Sequence, residues 1–286
     1  MRIALLLSLA VVVTGCSPFR LINGLSPSGH YELTSDIAYG VLERQSLDIY
    51  VPRDVSGPSP LVVFFYGGGW RDGSKKDYEF VASSLTKAGY TVIIPDYRLF
   101  PNVVFPTFVE DGAAAVAWSL RNAGKYGANS DAAFIMGHSA GAHIAGLLVT
   151  DQRYLDKHDI NTGDLKGFVG LSGPYDFLPI KSGYLLDVFP IENRDASQAI
   201  NFASAQTPSS LLIHGTKDDV VYAANSENLS RRLAELGVDV TLRLYKGAGH
   251  AEVVAALAPP LDFRLKTLED SLDFLATHGG LAKTGD

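Results

Sequence analysis

The chain predicts an α/β fold: a mostly parallel central sheet with helices on both faces. From Leu61 onward, short and almost wholly apolar runs alternate with stretches whose apolar residues recur at helical spacing. Strands buried on both sides read as continuous apolar runs, as these do. Glycine-rich or polar turns follow directly on several of the runs, at the edge where open α/β sheets place their sites. With 286 residues and 47% hydrophobic composition, the chain can bury one large core.

The N-terminus reads as a targeting segment. Met1-Arg2 supplies one positive charge, and Ile3 to Val13 is almost wholly apolar but too short to span a bilayer comfortably. Val13-Thr14-Gly15-Cys16 resembles a bacterial lipoprotein box, which implies a signal peptide over residues 1–15 and a lipid on Cys16. Ser17 rather than Asp after the cysteine suggests outer-membrane sorting, hence a periplasmic protein held to the membrane by its lipid alone. Cys16 is the only cysteine, so no internal disulfide forms. Residues 16–30, rich in Ser, Pro, Gly and Asn, read as a lipidated tether, and residues 31–286 as the folded domain.

Within that domain, Tyr31 to Ala38 and Ser46 to Val51 read as opening antiparallel strands, the second ending at Pro52. Leu61 to Phe65 is a buried strand that breaks into Gly67-Gly68-Gly69-Trp70. Tyr78, Val81, Leu85 and Ala88 share one helical face, and Val109, Ala113, Val116 and Leu120 another. Ala132 to Met136 is a short strand, and His143 to Val149 lies in the helix after it. Residues 151–207 are less regular and read as a lid-like insertion carrying Tyr184 and Phe189. Ser209 to Ile213 and Val240 to Tyr245 are strands, and Leu261, Leu265, Leu268, Leu272 and Leu275 stripe a last helix.

The turns carry the chemistry. Gly137-His138-Ser139-Ala140-Gly141, between strand and helix, has the form of a nucleophile elbow. A serine hydroxyl is a weak nucleophile that needs a histidine base, itself oriented by a carboxylate. Downstream, one strand runs into Lys217-Asp218-Asp219 and a later one into Gly247-Ala248-Gly249-His250. The three consecutive glycines at 67–69 would let backbone N–H groups face an oxyanion. Gly68 and Gly73 have phosphate-loop spacing, but Ser74-Lys75 reverses the required Lys-Ser order. His138 and His143 read as locally packed or solvent-facing, His214 precedes the acid and breaks the order, and Trp70 reads as an anchor beneath the glycine loop. Asp96, Arg98 and Asp176 read as strand-end groups that brace loops. A net charge of −7 argues against nucleic acid, and no metal-type Cys/His spacing occurs.

Together these residues resemble the α/β-hydrolase fold of bacterial carboxylesterases and lipases, nearest the feruloyl-esterase-like (BD-FAE) and kynurenine-formamidase-like branch. The resemblance covers about residues 45–276, through Tyr66 to Trp70, Asp96-Tyr97-Arg98-Leu99, the elbow, His214 to Asp218, and Gly249-His250. It implies Ser139 as nucleophile, His250 as base and Asp218 as acid, the last standing four residues after His214 as in the family. It also implies an oxyanion hole from the N–H groups of Gly68, Gly69 and Ala140, and no cofactor or metal. Tyr66 stands where the family usually has histidine. The expected substrate is a small-molecule or carbohydrate-linked ester, cleaved through an acyl-enzyme. A serine peptidase or amidase of the same fold and a non-catalytic surface-binding lipoprotein are the alternatives.

Overall fold

The computed structural model describes residues 18–181, 183–259 and 261–279. Cys16 and the signal segment lie outside them. The strands are β1 Tyr31–Ala38, β2 Ser46–Pro52, β3 Ser59–Phe65, β4 Thr91–Pro95, β5 Ala128–His138, β6 Gly167–Leu171, β7 Ser210–Gly215 and β8 Val240–Tyr245. They form one sheet in the order β1-β2-β4-β3-β5-β6-β7-β8. β2 pairs antiparallel with β1 and β4, and every other pair is parallel. The helices are α1 Pro18–Asn23, α2 Glu79–Lys87, α3 Thr107–Asn122, α4 Ala140–Thr150, α5 Gln152–Asp156, α6 Leu185–Val188, α7 Ala224–Glu235, α8 His250–Ala255 and α9 Thr267–Gly279.

Strand parity assigns the helices to faces. Val62 pairs with Phe134, so Phe64 and Phe134 point to the same side of the sheet. Phe64 meets Tyr78 just before α2, and Phe134 meets Phe274 of α9. Phe65 points the other way, towards Gly112 of α3 with Ile144 and Leu148 of α4 around it. Every residue of β3, β4 and β6 is buried, which matches their unbroken apolar sequences. β1, at the sheet edge, is mostly exposed.

Three boundaries differ from the sequence reading. The stretch 151–207 contains α5 and the core strand β6, so the irregular excursion spans only residues 172–209. It is packed down: Val188 and Phe189 are buried, and Phe105 N–H donates to Val188 O at 2.9 Å. The leucine stripe overran its helix, because turns closed by Leu261 N–H on Ala258 O and Arg264 N–H on Leu261 O precede α9. Part of the expected tether is also built into the fold. Phe19 of α1 packs at 4.9 Å from the Tyr78 ring, and Arg20 pairs with Asp77 at 2.7 Å. The polar composition of residues 16–30 hid the two apolar side chains, Phe19 and Ile22, that give α1 a face to bury.

Lys75, excluded above as a phosphate-loop lysine, is buried and holds the strand side of this half together. Its Nζ lies 2.7 Å from Asp48 Oδ1, also buried, and 2.5 Å from the exposed Asp36. Lys75→Met should leave the Asp48 carboxylate without its cation in a water-poor site and cost about 3–5 kcal/mol. Urea unfolding of the variant checks this. A loss below about 1 kcal/mol would mean the pair behaves like an exposed one.

Candidate active site

The site is built where β5 turns into α4. Ser139 stands at the turn with φ 55° and ψ −122°, a region that costs a side-chain-bearing residue about 1–3 kcal/mol. Its neighbours are small because the chain folds back on itself. A Cβ on Gly137 would strike the Gly141 carbonyl, and one on Gly141 would strike the Phe65 carbonyl of β3. Ser139 N–H is tied into the sheet by a bond to Leu171 O at 2.9 Å, and its carbonyl accepts from His143 N–H at 3.0 Å. Ala140 follows as the first residue of α4, where backbone N–H groups have no partner within the helix.

Two residues from distant strand ends converge on Ser139. His250, the first residue of α8, places Nε2 2.8 Å from Ser139 Oγ and Nδ1 2.7 Å from Asp218 Oδ2. Asp218 is buried, with Oδ1 accepting from the N–H groups of Val220 at 3.0 Å and Val221 at 2.8 Å. Burial alone would raise its carboxyl. The side-chain bonds from His214 and His250 and the Val221 N–H override that and hold it well below the usual carboxylate range. Asp219 is exposed.

His214 is buried on the far side of the acid. Its Nε2 faces Val221 O at 2.8 Å and Asp218 Oδ2 at 3.2 Å, both proton acceptors, so that nitrogen carries a proton. Its Nδ1 lies 2.7 Å from Ser226 Oγ. His214 thus braces the Asp218 carboxylate and does not face Ser139. His138 is buried as well, with Nδ1 3.2 Å from Tyr78 OH and its ring 5.0 Å from that of His250. Burial, then the nearby His250, pushes its imidazole well below the ordinary range, which keeps it neutral.

The glycine loop abuts the serine: a Cβ on Gly67 would lie 2.9 Å from Ser139 Cβ. Gly68 has φ +142°, and a Cβ there would overlap the Asp72 carbonyl. The turn is closed by Asp72 N–H donating to Gly68 O at 2.9 Å. Among the described residues, neither Gly68 N–H nor Gly69 N–H makes a backbone hydrogen bond. Tyr66 supports the loop from below. Its hydroxyl accepts from Arg44 Nη2 at 2.6 Å and donates to Asp96 Oδ1 at 2.8 Å, while Tyr97 OH donates to Tyr66 O at 2.8 Å. Full burial raises the Tyr66 phenol far above its ordinary value, so it stays protonated and able to donate.

The other end of the loop is fixed by Trp70, which is buried against Phe108, Phe177 and Phe189. Its Nε1–H donates to His143 Nδ1 at 3.3 Å, and His143 Nε2–H donates to Ser197 O at 2.8 Å. This chain ties the glycine loop, through α4, to the 172–209 excursion. It needs a neutral imidazole, and burial pushes His143 down to about 4. Unfolded histidine takes up its proton near 6.5, so the folded protein binds fewer protons than the unfolded one between those values. Stability should therefore fall as pH drops through that window, with His143 accounting for about 3 kcal/mol. His143→Gln can keep both bonds without titrating. Urea unfolding at a series of pH values should show a flatter profile for it; an unchanged slope would remove His143 as the cause.

A cleft of about 960 Å³ opens over Ser139 and His250. Phe19 and Tyr78 line it, as do Phe177 and Tyr184 of the excursion and Val220 and Tyr222 beyond β7. Tyr184 lies under the Arg71 guanidinium, 4.2 Å from ring centre to carbon, and its hydroxyl sits where a Cβ on Gly69 would go. Phe19 and Arg71 had no sequence signal beyond apolar or charged character, and Tyr78 read only as part of a helical face. They become visible only when α1 docks and the glycine loop turns.

The BD-FAE family model matches residues 47–233. The chain is similar to a probable isoprenylcysteine α-carbonyl methylesterase of Arabidopsis thaliana, 28% identical over 84% of this chain, and it spans only 56% of that protein's length. It is 29% identical to a kynurenine formamidase of Salmo salar over 68% of this chain and 63% of that protein. A truncated carbohydrate esterase from gut microbiota superposes with a TM-score of 0.77 at 22% identity, covering 89% of this chain and 99% of that one. With a family model matched over most of its length and a superposable sheet, the chain has the α/β-hydrolase fold and belongs to the BD-FAE family.

Proposed function

We propose that the protein is a serine carboxylesterase. The observation that carries this reading is the unbroken Ser139–His250–Asp218 chain, at 2.8 and 2.7 Å, ending on a strained serine at the floor of an apolar cleft. His250 Nε2 takes the Ser139 proton as Oγ attacks the ester carbonyl. The N–H groups of Gly68, Gly69 and Ala140 hold the developing oxyanion. His250 then gives the proton to the leaving alkoxide, which yields an alcohol and an acyl-Ser139. Water, deprotonated by His250, releases the acid. Asp218 keeps Nδ1 protonated and stabilises the imidazolium throughout. Relatives named as methylesterase and carbohydrate esterase support a small or carbohydrate-linked ester as substrate.

A fluorophosphonate probe should label the protein, and Ser139→Ala should abolish both labelling and p-nitrophenyl ester hydrolysis. Asp218→Asn should lower kcat on the order of ten-thousandfold, as loss of the orienting carboxylate does in serine proteases. Asp219→Asn, on an exposed turn residue, should stay within about threefold of the parent. Near-parental turnover in Asp218→Asn would sink the triad.

The lipoprotein reading rests on Val13-Thr14-Gly15-Cys16, which lies outside the described residues. It would make the enzyme a periplasmic lipoprotein of the outer membrane. Fractionation tests it: Cys16→Ala protein should leave the membrane fraction, and full retention there would refute the anchor.

A further inference from the structure

The cleft has two unlike walls, and one is made by the segment that leads into the domain. β5, which ends at Ser139, lies between β3 and β6 in the sheet. The 172–209 excursion follows β6 and forms the wall on that side. On the other side, α2 packs over β4 and β2, and α1 docks against its start. Phe19 packs tilted against Tyr78 with ring centres 4.9 Å apart and stacks on Phe80 at 5.8 Å, and its ring stands 6.3 Å from that of His138, the residue before Ser139.

Polar groups on this side are already engaged. Asp77 lines the cleft but is paired with Arg20 at 2.7 Å, and Tyr78 OH is taken up by His138 Nδ1. What remains is the apolar surface of the half-buried Phe19 ring, with the buried Tyr78 ring behind it. α1 is fastened by side chains away from that surface. Asn23 Nδ2 donates to Lys76 O at 2.8 Å, and Asn23 Oδ1 accepts from Phe80 N–H at 3.0 Å, satisfying a first-turn donor of α2. A loose tether would need neither bond.

An ester bound at Ser139 extends from its carbonyl in two directions, acyl and alcohol. We propose that α1 and the start of α2 form an aromatic-walled subsite for one of these, an alkyl chain of several carbons or an aryl group, and that Phe19 selects it. The inference rests on the esterase reading above. The N-terminal segment is then a binding element, and the ester it favours is apolar on the α1 side.

The test is selectivity in two series, p-nitrophenyl esters from acetate to octanoate and acetate esters from methyl to naphthyl. The parent should prefer the larger member in at least one series. Phe19→Ala should lower that preference, as a ratio of kcat/KM values, about tenfold, which corresponds to about 1.4 kcal/mol. Phe19→Leu should shift it less, and Asn23→Ala, which loosens α1 without touching the cleft, should shift it in the same direction severalfold. Thermal unfolding confirms that each variant is folded. A parent that shows no preference, or variants whose ratios all stay within about twofold of it, overturns the subsite. A parent that hydrolyses no ester and takes no fluorophosphonate overturns the esterase reading instead.

Discussion

The backbone of Ser139 holds a left-handed φ only because α4 comes down onto β3 and β5 with no side chain in the way. Gly141 meets the Phe65 carbonyl and Gly137 meets Gly141, so any side chain at either position would push helix and strand apart. That close approach aims the Ser139 hydroxyl out of the sheet edge and sets the first N–H of α4 beside it. It also leaves just enough room for Gly67 to pass against the Ser139 side chain. The rest of the site is arranged around this contact.

Strain at one residue persists when the surroundings over-determine it. Here the restraint comes from both ends of the glycine loop. Below Tyr66, the Arg44 guanidinium donates to the phenol, and the phenol and the Lys75 backbone N–H both donate to the Asp96 carboxylate. At Trp70, a neutral buried histidine links indole to backbone. Asp218 is treated in the same way, since each carboxylate oxygen has donors and His214 backs the one that faces His250. Burying these groups unpaired would cost several kcal/mol apiece. Paired, they make the site rigid.

The cleft, by contrast, is made from pieces far apart in the chain. Phe19 comes from the first described helix, Tyr78 from the position just before α2, Tyr184 from the excursion after β6, and Tyr222 from the turn after β7. The excursion is held by Val188, Phe189 and Gln198, whose Oε1 accepts from Phe177 N–H at 2.7 Å. Its role in the structure is therefore that of a fixed wall.

The α/β class, the run of parallel strands and the strand-end placement of Ser139, Asp218 and His250 were legible in the sequence. Continuous apolar runs mark the doubly covered strands before Ser139 and Asp218, an alternating run marks the strand before His250, and each residue follows its strand within a few positions, so both signals are local. The elbow was legible for the same reason, because its glycines are a short-range steric requirement. The work of His143, His138 and His214 was not. Each differs from a surface histidine only in what distant residues place beside it: Trp70 and Ser197, Tyr78 and His250, or Ser226 and Asp218. Nor could composition distinguish a tether from a docked helix at residues 18–23, where the packing of Phe19 and Ile22 suffices once a partner face exists. Covalent order and periodicity determine which elements form and which turns carry chemistry. The walls, the buried charge pairs and the neutral state of His138 and His143 are set by long-range packing, because burial and partnership exist only after the chain has closed on itself.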